Sequence, residues 1–212
     1  LINREALAAV AEVLDLENLT HATFAACHEL HVNNRYLARA HNLSNLAAAL
    51  EVTRSFGIDA GEAQRAAEDF PPLPHRQQEI GEVDGVLYVD DSISTTPEAT
   101  IAALEVYRDR PVTVIIGGHD RGIDYSGLVE RLRTQPRPGV VFLDTSGRWI
   151  HDLLGAGALA DTMREAVSLA RGMTPRGGVI LLSPAAPSYG RYRSFIERGE
   201  DFARCAGLKA AY

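Results

Sequence analysis

The segment YVDDSISTTPEAT, Tyr88 to Thr100, sets two adjacent carboxylates and four hydroxyl residues between an apolar run and Pro97. Carboxylates accept hydrogen bonds, and Ser or Thr can cap a helix by accepting from its free N–H groups. Capping accounts for one of the hydroxyls before Pro97. It does not account for Asp90 and Asp91 together with the rest. Three other stretches share this character: GGHDRG (117–122), DTSG (144–147) and SPAAPSYGR (183–191), which add Arg121, Ser183, Ser188 and Arg191. Gly117 and Gly118 serve a tight turn or, with Arg121 in the same loop, an anion. Tyr192 and Phe195 read as core residues by type. His21, Cys27, His28 and His31 have no spacing that fits a standard zinc site.

The elements around these stretches explain why they belong together. Gly85–Asp90, VTVIIGG, GVVFLD and GGVILLSP read as apolar strands; Pro97–Tyr107, DYSGLVERLRT, SGRWIHDLL and TMREAVSLARG, the last closed by Gly172, read as helices between them. SYGRYRSFIERGEDFARCAG reads as a long terminal helix or a helix pair. Val-, Ile- and Leu-rich strands alternating with amphipathic helices indicate an α/β fold, a mainly parallel sheet of five or six strands covered on both faces. In such a sheet every strand's carboxyl end opens onto one edge, where ligands bind. The polar stretches all follow strands, so they are expected to converge on one rim.

Residues 1–71 differ in pattern. Arg4–Leu14, Leu43–Gly57 and Ala60–Phe70 have helical periodicity, and Pro71, Pro72 and Pro74 prevent the last from continuing. A domain boundary is expected there, giving domains of 1–71 and 72–212. The 212 residues are 46% hydrophobic with net charge −7, which argues against a non-specific nucleic-acid binder and against an anionic membrane surface. Two distant cysteines form no disulfide framework, and with no signal-peptide pattern the cytoplasm is the expected compartment. Neither GxGxxG nor GxxxxGK[ST] is present, so phosphates of a bound nucleotide are not held by this chain alone. The chain opens on Leu1 in mid-pattern and reads as a fragment.

HNLSNLAAAL, LPHR, YVDDSISTTPEATIAAL, GGHDRGIDYSGL and LLSPAAPSYGRYRSFIERGEDF occur in that order over roughly Ala40–Leu208. In this they resemble the Mur ligases of peptidoglycan synthesis, most closely the glutamate-adding branch. The resemblance implies the helical end of a central ATPase domain followed by a C-terminal Rossmann-like domain. It also implies ATP-dependent amide formation between glutamate and UDP-N-acetylmuramoyl-L-alanine through an acyl phosphate. The phosphate loop, the Mg2+ ligands and a carbamylated lysine have no counterpart here, and the fragment alone is expected to be inactive.

By the same resemblance Asn42 contacts adenine, while Arg76 and Asp91 hold the nucleotide. Thr95, Ser188 and Phe195 meet the incoming glutamate. Arg121, the catalytic cation, stands where many relatives have lysine, and a guanidinium can grip a carboxylate bidentately. Two departures are Ile93, where many relatives have lysine, and Gly190, where many have an acid. DSISTTP, GGHDRG and APSYG resemble the branch that adds L-glutamate, leaving an epimerase to invert it later. Addition of D-glutamate, or another Mur or folylpolyglutamate-type ligation, is the alternative.

Overall fold

The computed structural model describes residues 32–134 and 136–209, together with the backbone of Ile2–Asn3 and Thr23–Phe24. The expected helix Arg4–Leu14 and the residues His21, Cys27, His28 and His31 lie outside the described residues. The chain packs as two compact units, Leu1–Pro72 and Leu73–Tyr212.

In the first unit, strands β1 (Ile2–Asn3) and β2 (Thr23–Phe24) pair in parallel. Helix α1 (Ala40–Ser55) follows, ending where Gly57 takes φ 77°. Helix α2 (Ala60–Glu68) starts at Asp59, whose carboxylate caps the Glu62 N–H. Asn34 holds the end of α2 by donating to the carbonyls of Ala67, Glu68 and Phe70.

The second unit is a six-stranded sheet in the order β3-β4-β8-β5-β6-β7. Its strands are β3 (Gln78–Val83), β4 (Val86–Asp90), β5 (Val112–Ile116), β6 (Gly139–Phe142), β7 (Ala158–Leu159) and β8 (Val179–Leu182). All neighbours are parallel except β3 and β4. That pair is a hairpin in which Asp84 and Gly85 both adopt positive φ, 54° and 78°. Asp-Gly is the sequence signature of such a turn, but the polar pattern of β3 hid the strand.

Helices α3 (Pro97–Val106), α4 (Ser126–Arg133), α5 (Asp144–Leu154), α6 (Met163–Met173) and α7 (Phe195–Ala206) cover the sheet. Side-chain alternation divides the core between its faces. Val89, Val114, Ile116, Phe142 and Leu181 pack with Leu104, Leu128 and Ile150. Tyr88, Ile115, Val141, Ile180 and Leu182 pack with Met163, Val167 and Phe202. Both faces are buried, which is why the strands read as continuous apolar runs.

Two helix boundaries differ from expectation. Helix α6 passes through Gly172 and stops after Met173. Thr174 precedes Pro175, which drives it to extended backbone at φ −102°, ψ 115°. The terminal helix spans only Phe195–Ala206 rather than 188–207: Gly190 turns the chain at φ 92°, and Ser194 caps α7 by accepting from Glu197 N–H.

Candidate functional site

The loops after β4, β5, β6 and β8 meet at the carboxyl edge of the sheet and are stitched by backbone bonds. Asp91 N–H donates to Leu182 O (2.9 Å), Gly117 N–H to Pro184 O (2.9 Å), Ser183 N–H to Ile115 O (3.2 Å) and His119 N–H to Pro187 O (2.8 Å). The buried Ser146 hydroxyl accepts from Gly118 N–H (2.9 Å) and donates to Gly118 O (3.1 Å). Gly117 has φ 131°, and a Cβ there would strike the carbonyl oxygen of Leu143. Only glycine fits such a close approach. His75, Gln77, Asp144 and Ala185 also hold positive φ at or near this edge. Such backbone persists where surrounding bonds over-determine it, typically at functional sites.

The hydroxyl-rich turn divides its work. Thr96 caps α3 by accepting from Ala99 N–H, the bland role expected of one hydroxyl. Asp91, 1% exposed, accepts from Gln77 N–H (3.1 Å) through Oδ1, and from Ser94 (2.5 Å) and Ser183 (2.7 Å) through Oδ2. Burial pushes its pKa up to about 6 despite these three bonds. Its carboxylate is spent inside the protein and, as arranged, presents no face to a ligand. Asp90 likewise turns inward, where Oδ2 meets His75 Nδ1 at 2.8 Å and Oδ1 accepts from Ser92 N–H at 2.9 Å.

Helix α7 closes the floor of the rim. Arg198 is only 2% exposed, yet donates to Ser92 O (2.7 Å) and Ala186 O (3.0 Å). Its Nε is buried without a hydrogen-bond partner, and among the described residues no carboxylate bonds to the guanidinium. Burial lowers its pKa to about 10. A Cβ on Gly118 would sit 3.0 Å from Arg198 Nη1, so one side chain abuts three loops. Next to it, a Cβ on Gly199 would meet the Asp90 carboxylate, His75 Nδ1 at 2.6 Å and Ser92 Oγ at 2.8 Å. Gly199→Ala is expected to lose about 2 kcal/mol of stability by overpacking; chemical denaturation checks this, and an unchanged midpoint would mean the helix shifts without cost.

The remaining expected site residues are arranged as follows. Arg121 is exposed and its Nη2 donates to Thr95 O at 3.2 Å, joining the loops after β5 and β4. Ser188 is buried within the loop after β8 and accepts from Tyr192 N–H at 3.1 Å through its carbonyl. Phe195, half-buried, packs edge-on against His75 with centroids 5.6 Å apart. Arg76 is half-buried beside His75 in sequence. Asn42 belongs to the first unit, 3% exposed, with Nδ2 donating to Tyr36 O at 2.8 Å. Arg191 is paired with Asp144 at 2.7 Å. Among the described residues no three His, Cys, Asp or Glu side chains gather as metal ligands, and no helix is long and apolar enough to cross a membrane.

Sequence reasoning missed His75, Arg198 and Gly199. The only signals were a histidine inside LPHR and an Arg-Gly pair inside a helical pattern, and neither shows burial. Asp90 it counted among the rim residues, without its inward partner.

Residues 75–186 match the family described as Mur ligase, glutamate ligase domain. The chain is 42% identical over 180 residues to UDP-N-acetylmuramoyl-L-alanine--L-glutamate ligase of Xanthomonas euvesicatoria pv. vesicatoria, covering 81% of this chain and 38% of the relative. The ligase of that name from Micromonospora sp. is 42% identical over 175 residues, covering 79% and 39%. The chain thus spans about two-fifths of the length of these curated relatives. Among solved structures, UDP-N-acetylmuramate-alanine ligase from Thermotoga maritima superposes with TM-score 0.59 at 21% identity, over 79% of this chain and 38% of that one. The bifunctional folylpolyglutamate synthase/dihydrofolate synthase of Yersinia pestis, solved with AMPPNP and a Mn ion, gives TM-score 0.59 at 18% identity, over 87% and 45%. At these identities the structures speak for the fold. With the family match running over more than half its length, through the same loops that build the rim, this chain belongs to the Mur ligase family.

Proposed function

We propose that this chain is the amino-acid-binding part of an ATP-dependent ligase that joins glutamate to UDP-N-acetylmuramoyl-L-alanine in peptidoglycan synthesis. The observation that carries the reading is Arg121. It is an exposed guanidinium on the rim, bonded to the neutral carbonyl of Thr95 and to no carboxylate among the described residues. A cation so placed suits a substrate carboxylate. Thr95 stands on the loop after β4 and Ser188 on the loop after β8, both on the same side of β5, and Phe195 opens α7. This set binds and orients the amino acid so that its amine faces the acceptor carbonyl, and positioning is a large part of what such a reaction needs.

ATP, when bound, supplies the phosphoryl group that activates the acceptor carboxylate. Arg76 fits a phosphate or nucleotide contact by charge and partial exposure. Asp91 fits less directly, since a ribose contact would require Ser94 or Ser183 to release it; we assign it to supporting the rim from below. Asn42 would act on the adenine from residues 1–72, taken as the end of the central domain. The Mg2+ ligands are assigned to parts of that domain outside this chain. The cytoplasm is where these soluble reactants would meet. The names of the relatives favour L-glutamate, which would require a later epimerase to supply the D centre.

The test is phosphate release by the full-length ligase with ATP and UDP-N-acetylmuramoyl-L-alanine, comparing L- and D-glutamate. Release with L-glutamate alone is expected. Release with D-glutamate alone would overturn the stereochemical part, and release with neither would overturn the substrate. In the same assay Arg121→Ala is expected to raise the glutamate KM roughly 10- to 100-fold, the loss of a charge-assisted bond. Arg121→Lys should recover part of it. An unchanged KM in Arg121→Ala would remove Arg121 from the carboxylate site.

A further inference from the structure

His119 and Tyr189 are exposed rings on two different rim loops, and they meet. Their centroids lie 6.5 Å apart at 70°, edge to face, bridging the loop after β5 and the loop after β8. Tyr189 is 64% exposed and His119 is also exposed, so the contact buries little and cannot be explained as core packing. The backbone under both rings is fixed. His119 N–H donates to Pro187 O at 2.8 Å, and Gly118 is held from below by Ser146. Tyr189 stands between buried Ser188 and Gly190, whose φ of 92° turns the chain back so that Tyr192 N–H reaches Ser188 O at 3.1 Å. Rigid anchors carrying solvent-facing aromatic rings are what a binding site uses to cover a ligand at low entropic cost.

The position of the pair says what it would cover. His119 is two residues from Arg121, and Tyr189 directly follows Ser188. The rings therefore belong to the same two loops as the groups assigned to the amino acid, those that follow the adjacent strands β5 and β8. A glutamate side chain is two methylenes ending in a carboxylate. Methylenes favour an aromatic face, while the carboxylate needs a cation at a fixed reach, which Arg121 provides.

We propose that His119 and Tyr189 form an aromatic clasp over the side chain of the incoming amino acid and, with Arg121, select for a dicarboxylic amino acid of glutamate's length. This rests on the reading of the rim as an amino-acid site and adds residues that no resemblance assigned. The clasp is a specificity device. It takes no part in proton or phosphoryl transfer.

The experiment uses the full-length ligase and steady-state phosphate release. Tyr189→Ala is expected to raise the glutamate KM about tenfold, the size of one lost aromatic contact, with the KM for ATP unchanged. Tyr189→Phe should behave as wild type. His119→Ala should raise the same KM, and the double variant should lose less than the product of the two, because the rings act as a pair. Discrimination between glutamate and aspartate should also shrink in Tyr189→Ala. Equal rises in the KM for ATP and glutamate, or a glutamate KM within twofold of wild type, would overturn the clasp. If the wild type releases no phosphate with either glutamate isomer, the proposed substrate fails separately. The clasp is then read from the Tyr189 ring resonances on titration with L-glutamate, D-glutamate, L-aspartate and L-2-aminoadipate: shifts with a dicarboxylic amino acid uphold it, and none with any of the four overturns it.

Discussion

Replacing Arg198 by alanine is expected to cost about 4 kcal/mol of unfolding free energy. The estimate combines a large buried side chain removed with two carbonyls stranded. Those carbonyls belong to Ser92 and Ala186, in the loops after β4 and β8, and the guanidinium also abuts Gly118 after β5. Losing it should loosen the rim as well as the fold, so in the full-length ligase the KM for the proposed glutamate substrate should rise more than that for the proposed ATP. Arg198→Lys retains the charge and reaches one carbonyl, and should fall between. Denaturant unfolding measures the first effect. A loss below about 1 kcal/mol for Arg198→Ala would mean the loops hold each other through their backbone bonds alone.

The second large effect depends on pH. Asp91 titrates at about 6 in the folded protein, against an ordinary 3.8, chiefly because it is buried. A group whose folded pKa is raised contributes stability while protonated. That contribution is full below about pH 4 and is lost as pH rises through 6, when the folded state must ionise a desolvated carboxyl. The displacement corresponds to about 3 kcal/mol. Asp91→Asn cannot ionise, so its stability relative to wild type should climb between pH 4 and 6.5 and then level off. Paired urea titrations at pH 4.5 and 7 give the difference. A constant difference across that range would show that Ser94, Ser183 and Gln77 N–H compensate the burial fully.

The two aspartates show where legibility in the sequence stopped. Their place after a strand was readable from Leu87 to Pro97, because an apolar run, a polar gap and a proline fall in helix-start order. Their direction was not readable. Asp90 turns to His75, 15 residues upstream, and Asp91 to Ser183, 92 residues downstream. Such partners depend on which loops the sheet order brings together, and β8 sits between β4 and β5 although it comes last in the chain. The same holds for Arg198 and Ser92, 106 residues apart. Strand β3 was missed for a related reason: it is an edge strand, half solvated, and carries no continuous apolar run.

What the sequence by itself determined was the alternation of buried strands and amphipathic helices, and so a parallel sheet whose polar loops share one edge. It also carried the five ordered motifs by which the family is known. Local periodicity and turn chemistry are enough for that, since each is written within a few neighbouring residues. Only the tertiary structure decided which polar groups of the rim stay exposed and which are consumed beneath it. Burial and hydrogen-bond partners are set by packing between segments far apart in the chain, and no local pattern encodes them.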